Sequence, residues 1–131
     1  MSWQPLLSDM RRSLGVRLGY KVKPACDTSG SRLRMSICAE YVKAMRWNDG
    51  DIVRVEVDLD GGCGRIATVA RSGIGTRRIC VRRSTRRGHL EMPWTGSIPT
   101  TFPNTGTMTE LVFVEAKPED GLVFELPKLQ Q

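Results

Sequence analysis

The sequence predicts a mainly β protein with short helices. Three observations carry that expectation. Apolar and polar residues alternate in several short runs, β-branched residues concentrate in those runs, and clusters of glycine, asparagine and aspartate separate them.

The first segment is helical instead. Leu6, Leu7, Met10 and Leu14 fall on one helical face with Arg11 and Arg12 on the other, Pro5 suits the first turn, and Gly15 suits the stop. Val16-Arg17-Leu18 and Tyr20-Lys21-Val22-Lys23 then alternate apolar with basic residues, as a half-buried strand broken at Gly19 and ended by Pro24. Asp27 to Ser31 has turn chemistry, and Leu33 to Ile37 alternates again as the returning strand. Ala39 to Trp47 predicts a short helix with Tyr41, Val42, Met45 and Trp47 inward. Asn48-Asp49-Gly50-Asp51 is a tight turn into the strand Ile52 to Val57, and Gly61 to Gly64 turns that strand back along Arg65 to Ala70 as a hairpin.

Arg78 to Arg82 is a further candidate strand, and Ser84 to Gly88 an exposed loop. Pro93, Gly96, Pro99, Pro103 and Gly106 make the following stretch irregular, with short extended pieces. Leu111 to Val114 and Leu122 to Leu126 form a C-terminal β-hairpin through Lys117-Pro118-Glu119-Asp120-Gly121, with Gly121 left-handed. Lys128 to Gln131 is a fraying end.

At 131 residues the chain suits one domain, or two very small ones, and its 40% hydrophobic and 26% charged content is that of a globular protein. No apolar run reaches the roughly 20 residues that span a bilayer, so no membrane association is expected. Met1-Ser2-Trp3-Gln4-Pro5 lacks the basic-then-apolar order of a signal peptide, which places the expected location in the cytoplasm. The four cysteines, Cys26, Cys38, Cys63 and Cys80, include no CxxC pair, and His89 is the single histidine. A tetrahedral zinc site needs tighter ligand spacing, so the thiols read as free and buried or half-buried, with no metal or other cofactor.

Charge is segregated along the chain. Arg11 to Arg46 holds nine basic residues against Asp27 and Glu40, whereas Asp49 to Asp60 holds five carboxylates against Arg54 alone. Arg65 to Arg87 then holds eight arginines and no acid, and from Glu91 onward six carboxylates face Lys117 and Lys128. A run of guanidinium groups without a compensating carboxylate repels itself, and its flat forks pair bidentately with phosphate, so a polyanion is the natural partner. Arg77, Arg78, Arg82, Arg83, Arg86 and Arg87 are the candidate contacts in this second basic segment.

Catalysis has little to stand on. His89 reads as a solvated loop residue, and Asp49, Asp51, Asp58 and Asp60 lack the ligand spacing of a calcium loop. Glu115-Ala116-Lys117 has the E-x-K end of a nuclease motif, but no aspartate lies between Asp60 and Asp120 to complete it. No phosphate-cradling glycine loop or nucleophile elbow is present, so the chain is expected not to be an enzyme.

Gly15-Val16-Arg17, Lys21-Val22-Lys23, Gly30-Ser31-Arg32-Leu33-Arg34-Met35-Ser36-Ile37, the helix Ala39 to Trp47, and Asn48-Asp49-Gly50-Asp51-Ile52-Val53-Arg54-Val55 follow one another in a familiar order. Residues 15–72 thereby resemble the AbrB/SpoVT/MazE-type swapped-hairpin DNA-binding family. Two departures stand out: Cys38 occupies the place of the usual proline before the helix, and the first hairpin is longer. The resemblance implies a small β-barrel-like N-terminal part in which two protomers interleave hairpins, with Arg17, Lys21, Lys23, Arg32 and Arg34 meeting DNA. The domain organisation that follows is a helix over 1–14, the AbrB-like region over 15–72, and an arginine-rich loop with a C-terminal β-hairpin over 73–131.

The expected function is nucleic-acid binding, with DNA ahead of RNA, by a dimeric DNA-binding transcriptional regulator. The alternative, which also suits a small phage-borne factor, is a protein that binds and modulates a larger nucleic-acid-handling machine.

Overall fold

A computed structural model of the chain describes residues 16–23, 32–93, 102 and 107–127. The helix expected over 4–14, the turn over 27–31, most of the irregular stretch after Pro93 and the C-terminal end lie outside the described residues.

The protein is mainly β, with strands and one short helix, α1 (Ala39–Met45). The strands are β1 (Leu18–Lys23), β2 (Arg32–Ile37), β3 (Ile52–Asp58), β4 (Cys63–Thr68), β5 (Thr76–Arg78), β6 (Cys80–Val81), β7 (Gly88–Pro93), β8 (Thr109–Glu110), β9 (Phe113–Lys117) and β10 (Gly121–Glu125). They form two open antiparallel sheets of five strands each, in the orders β6-β7-β2-β1-β8 and β5-β3-β4-β10-β9. Strands from the C-terminal part of the chain thus flank the β1–β2 and β3–β4 hairpins on both sides.

Alternation decides the faces of the first sheet. Leu18, Tyr20 and Val22 of β1 and Leu33, Met35 and Ile37 of β2 turn inward and are buried. The residues between them stand in register on the other face: Lys21 faces Arg34, Ser36 faces His89, and Arg34 faces Glu91. In the second sheet Val53, Ile66, Leu122 and Phe124 turn inward, while Glu56, Arg65 and Glu115 share the outward face through the common partner Val123. Both inner faces and α1 contribute to one hydrophobic core. Helix α1 buries Tyr41, Val42 and Met45, and Tyr41 stacks on Phe113 of β9 with ring centroids 4.1 Å apart. Trp47 follows the helix into the core and donates its indole N–H to Thr68 Oγ1 at 2.8 Å, which satisfies its polar end.

Four expectations change. Gly19 does not break β1: it lies inside the strand because its bare Cα lets β8 approach, and a Cβ there would fall 2.8 Å from the Thr109 carbonyl oxygen. Arg78 to Arg82 is not one strand. β5 joins the second sheet and β6 the first, and Ile79 between them is buried to 1% exposure. Gly88 to Pro93 is strand β7, paired along its length with β2, so His89 sits in a strand rather than a loop. Among the described cysteines Cys38 and Cys63 are half-buried as expected, whereas Cys80 is exposed; all three are free.

Candidate nucleic-acid interface

The outward face of the first sheet is built from the polar positions of β1, β2 and β7. Pairing β7 with β2 sets His89 and Glu91 beside Ser36 and Arg34, and pairing β6 with β7 sets Cys80 opposite His89. β5 then brings Arg77 and Arg78 to the same edge. The result is a cleft of about 330 Å³ lined by Arg34, Arg77, Arg78, Cys80, Arg82, His89 and Glu91. Two basic segments far apart in sequence meet there.

Its ion pairs leave the cleft electropositive. Glu91 is its one carboxylate, and Arg32 lies 3.8 Å from it. Among the described residues no carboxylate pairs with Arg77, Arg78 or Arg82. Arg78 donates to the Gly50 carbonyl at 3.0 Å, which fixes its side chain against the β3 turn. An Arg34 nitrogen stands 3.5 Å from His89 Nδ1. Burial lowers the His89 pKa first, and the charges of Arg34, Arg82 and Arg87 lower it further against a weaker opposite pull from Glu91.

The other expected contacts are distributed around this centre. Lys21 is half-buried in the next row of the sheet, opposite Arg34, and Lys23 pairs with Arg32 in the β1–β2 register. Arg83 and Arg86 are exposed in the turn between β6 and β7. That turn is closed by the Arg82 N–H on the Arg87 carbonyl (3.0 Å) and the Arg86 N–H on the Arg82 carbonyl (2.8 Å). Arg87 is turned back into the protein, where one guanidinium nitrogen donates to the Val16 carbonyl at 2.7 Å and to Ser36 Oγ at 2.9 Å. Arg17 stands apart: it ion-pairs with Glu40 and lies over the Tyr41 ring, 5.4 Å from its centroid.

Two arginines of the acid-free run belong elsewhere. Arg65 pairs with Glu56 at 3.0 Å on the outward face of the second sheet, and Arg71 lies exposed between β4 and β5.

Cys80, His89 and Glu91 were not among the expected contacts. The sequence carries a signal for two of them: His89-Leu90-Glu91-Met92 alternates polar with apolar.

Comparison with protein-family models, curated proteins and solved structures finds no match.

Proposed function

We propose that the protein binds nucleic acid, with DNA ahead of RNA, as a non-catalytic cytoplasmic regulator of transcription. One observation carries the reading: Arg34 from the first basic segment and Arg77, Arg78 and Arg82 from the second line one cleft, with Lys21 and Arg32 in the adjoining rows. Guanidinium groups on phosphates supply affinity and register, while contacts to base edges supply any sequence specificity.

The likeness of residues 15–72 to the AbrB type adds a second protomer to the proposal, with hairpins of two chains interleaved into one small barrel. Light scattering decides that part, since a monomer leaves the nucleic-acid reading without the swapped arrangement.

Gel shifts with random duplex DNA, single-stranded DNA and RNA test the function. Each neutralised phosphate releases counterions, so six or more contacts make affinity fall about a thousandfold or more between roughly 50 and 200 mM salt. Failure to bind all three at the lower salt overturns the reading.

A second reading, binding to a protein of a larger nucleic-acid-handling machine, has its own observation. The edge strand β9 and the residue before its start expose Val114 and Val112 at 50% and 58%. An apolar sheet edge is a template for another chain. Pull-downs with and without nuclease separate the two: a partner retained after nuclease favours the protein.

A further inference from the structure

The cleft differs from the rest of the basic face in concentrating charge. Arg34, Arg77, Arg78 and Arg82 contribute four guanidinium groups, and Glu91, already engaged by Arg32, contributes one carboxylate. A phosphodiester link of a nucleic-acid backbone carries a single negative charge and is flanked by sugars on both sides. A terminal phosphomonoester carries about −1.5 to −2 at neutral pH and presents three oxygens at the end of a chain. Four guanidinium groups gathered around about 330 Å³ suit the denser charge of such an end, whereas cations spread along a face suit a passing backbone.

We propose that the cleft between β2, β5, β6 and β7 seats a terminal phosphate group, a phosphomonoester, held by Arg34, Arg77, Arg78 and Arg82 with His89 on its wall. This rests on the nucleic-acid reading for the source of the phosphate, although a free nucleotide offers the same chemistry. Two features of the cleft suit a phosphomonoester. Arg78, anchored on the Gly50 carbonyl, is oriented before the ligand arrives, so less side-chain freedom is lost on binding. His89 stands on the same wall, with Nδ1 3.5 Å from an Arg34 nitrogen, and an imidazole N–H there can donate to an anion.

The test compares one oligonucleotide carrying a 5′-phosphate, a 3′-phosphate or neither, by fluorescence anisotropy, alongside a nucleoside 5′-monophosphate and its nucleoside by calorimetry. A phosphorylated end should bind about tenfold or more tightly than the hydroxyl form. The exposed-residue variant Arg77→Gln/Arg82→Gln should remove that preference while circular dichroism shows the fold intact. Cys80 supplies an independent readout, because it lies in the cleft: alkylation of its peptide by N-ethylmaleimide, followed by mass spectrometry, should slow when the monophosphate saturates.

Equal affinity of all three oligonucleotides overturns the phosphate seat and leaves the nucleic-acid reading standing. Binding of the monophosphate with no binding of any oligonucleotide overturns the nucleic-acid reading and leaves the seat. Alkylation of Cys80 unchanged at saturation moves the phosphate elsewhere and overturns the assignment to this cleft.

Discussion

Arg87 and His89 are neighbours in sequence with opposite relations to the expected interface. Arg87 looks like one more cation of the turn, yet it donates to the Val16 carbonyl and to the Ser36 hydroxyl, whose residue is only 5% exposed. Removing a donor from a buried polar group costs about 1–3 kcal/mol. Arg87→Ala should therefore lower the urea midpoint clearly, whereas Arg82→Ala and Arg83→Ala, at exposed positions, should stay within about 0.5 kcal/mol of the parent. No sequence signal distinguished these arginines, because the difference lies in a partner some fifty residues away. His89 binds its proton less readily folded than unfolded, since burial and then Arg34, Arg82 and Arg87 act against the imidazolium. Just below the ordinary histidine value of about 6.5 the unfolded chain takes up a proton that the folded chain resists, so stability rises with pH through this window and is lost on acidification. Urea midpoints measured at pH 7.5 and pH 5.5 should fall in the parent and fall less in His89→Gln. A slope unchanged by the substitution would assign the acid sensitivity to other groups.

At the scale of elements, local pattern served well where a strand or helix has one buried face. The β1–β2 hairpin, α1 with its inward Tyr41, Val42 and Met45, the β3–β4 hairpin and the β9–β10 hairpin all follow from residue alternation and turn chemistry. Gly121, at φ 114°, occupies the position the last turn required of a glycine. Elements whose existence depends on a distant partner were less legible. β5 and β6 are three and two residues long, and only the sheets they join separate them. β7 exists because β2 offers a complete edge to pair with. Close approach is equally invisible in sequence. Gly64 looked like part of a turn, but it lies in β4 beneath the Phe124 ring, and a Cβ there would stand 2.5 Å from Phe124 Cζ. Phe124 is fully buried and has little freedom to retreat, so Gly64→Ala should cost about 1–3 kcal/mol, read from chemical denaturation. A neutral result would mean that the second sheet is looser than its packing indicates.

Across the whole molecule, charge is divided between the two sheets. The first sheet shows Lys21, Arg32 and Arg34 and meets β5, the edge strand of the second, at the arginine-lined cleft, while the outward face of the second sheet pairs Arg65 with Glu56 and adds Glu115 beside Lys117. If binding follows this division, position and not net charge governs it. Lys21→Gln/Arg77→Gln/Arg82→Gln should reduce nucleic-acid affinity at least tenfold and flatten its salt dependence, whereas Lys43→Gln/Arg65→Gln/Lys117→Gln, with the same change in net charge, should alter both little. Equal losses in the two variants would point to non-specific attraction by a basic chain. The sequence by itself determined the mainly β class, four of the local elements and the presence of two basic segments, because alternation, turn residues and charge are properties of neighbouring positions. Only the tertiary structure decided that the two segments share a cleft, that Arg87 faces inward, and that His89 lies on a strand. Those outcomes depend on which strands pair, and antiparallel pairing is settled by the burial of whole faces in one core, between residues that may be any distance apart along the chain.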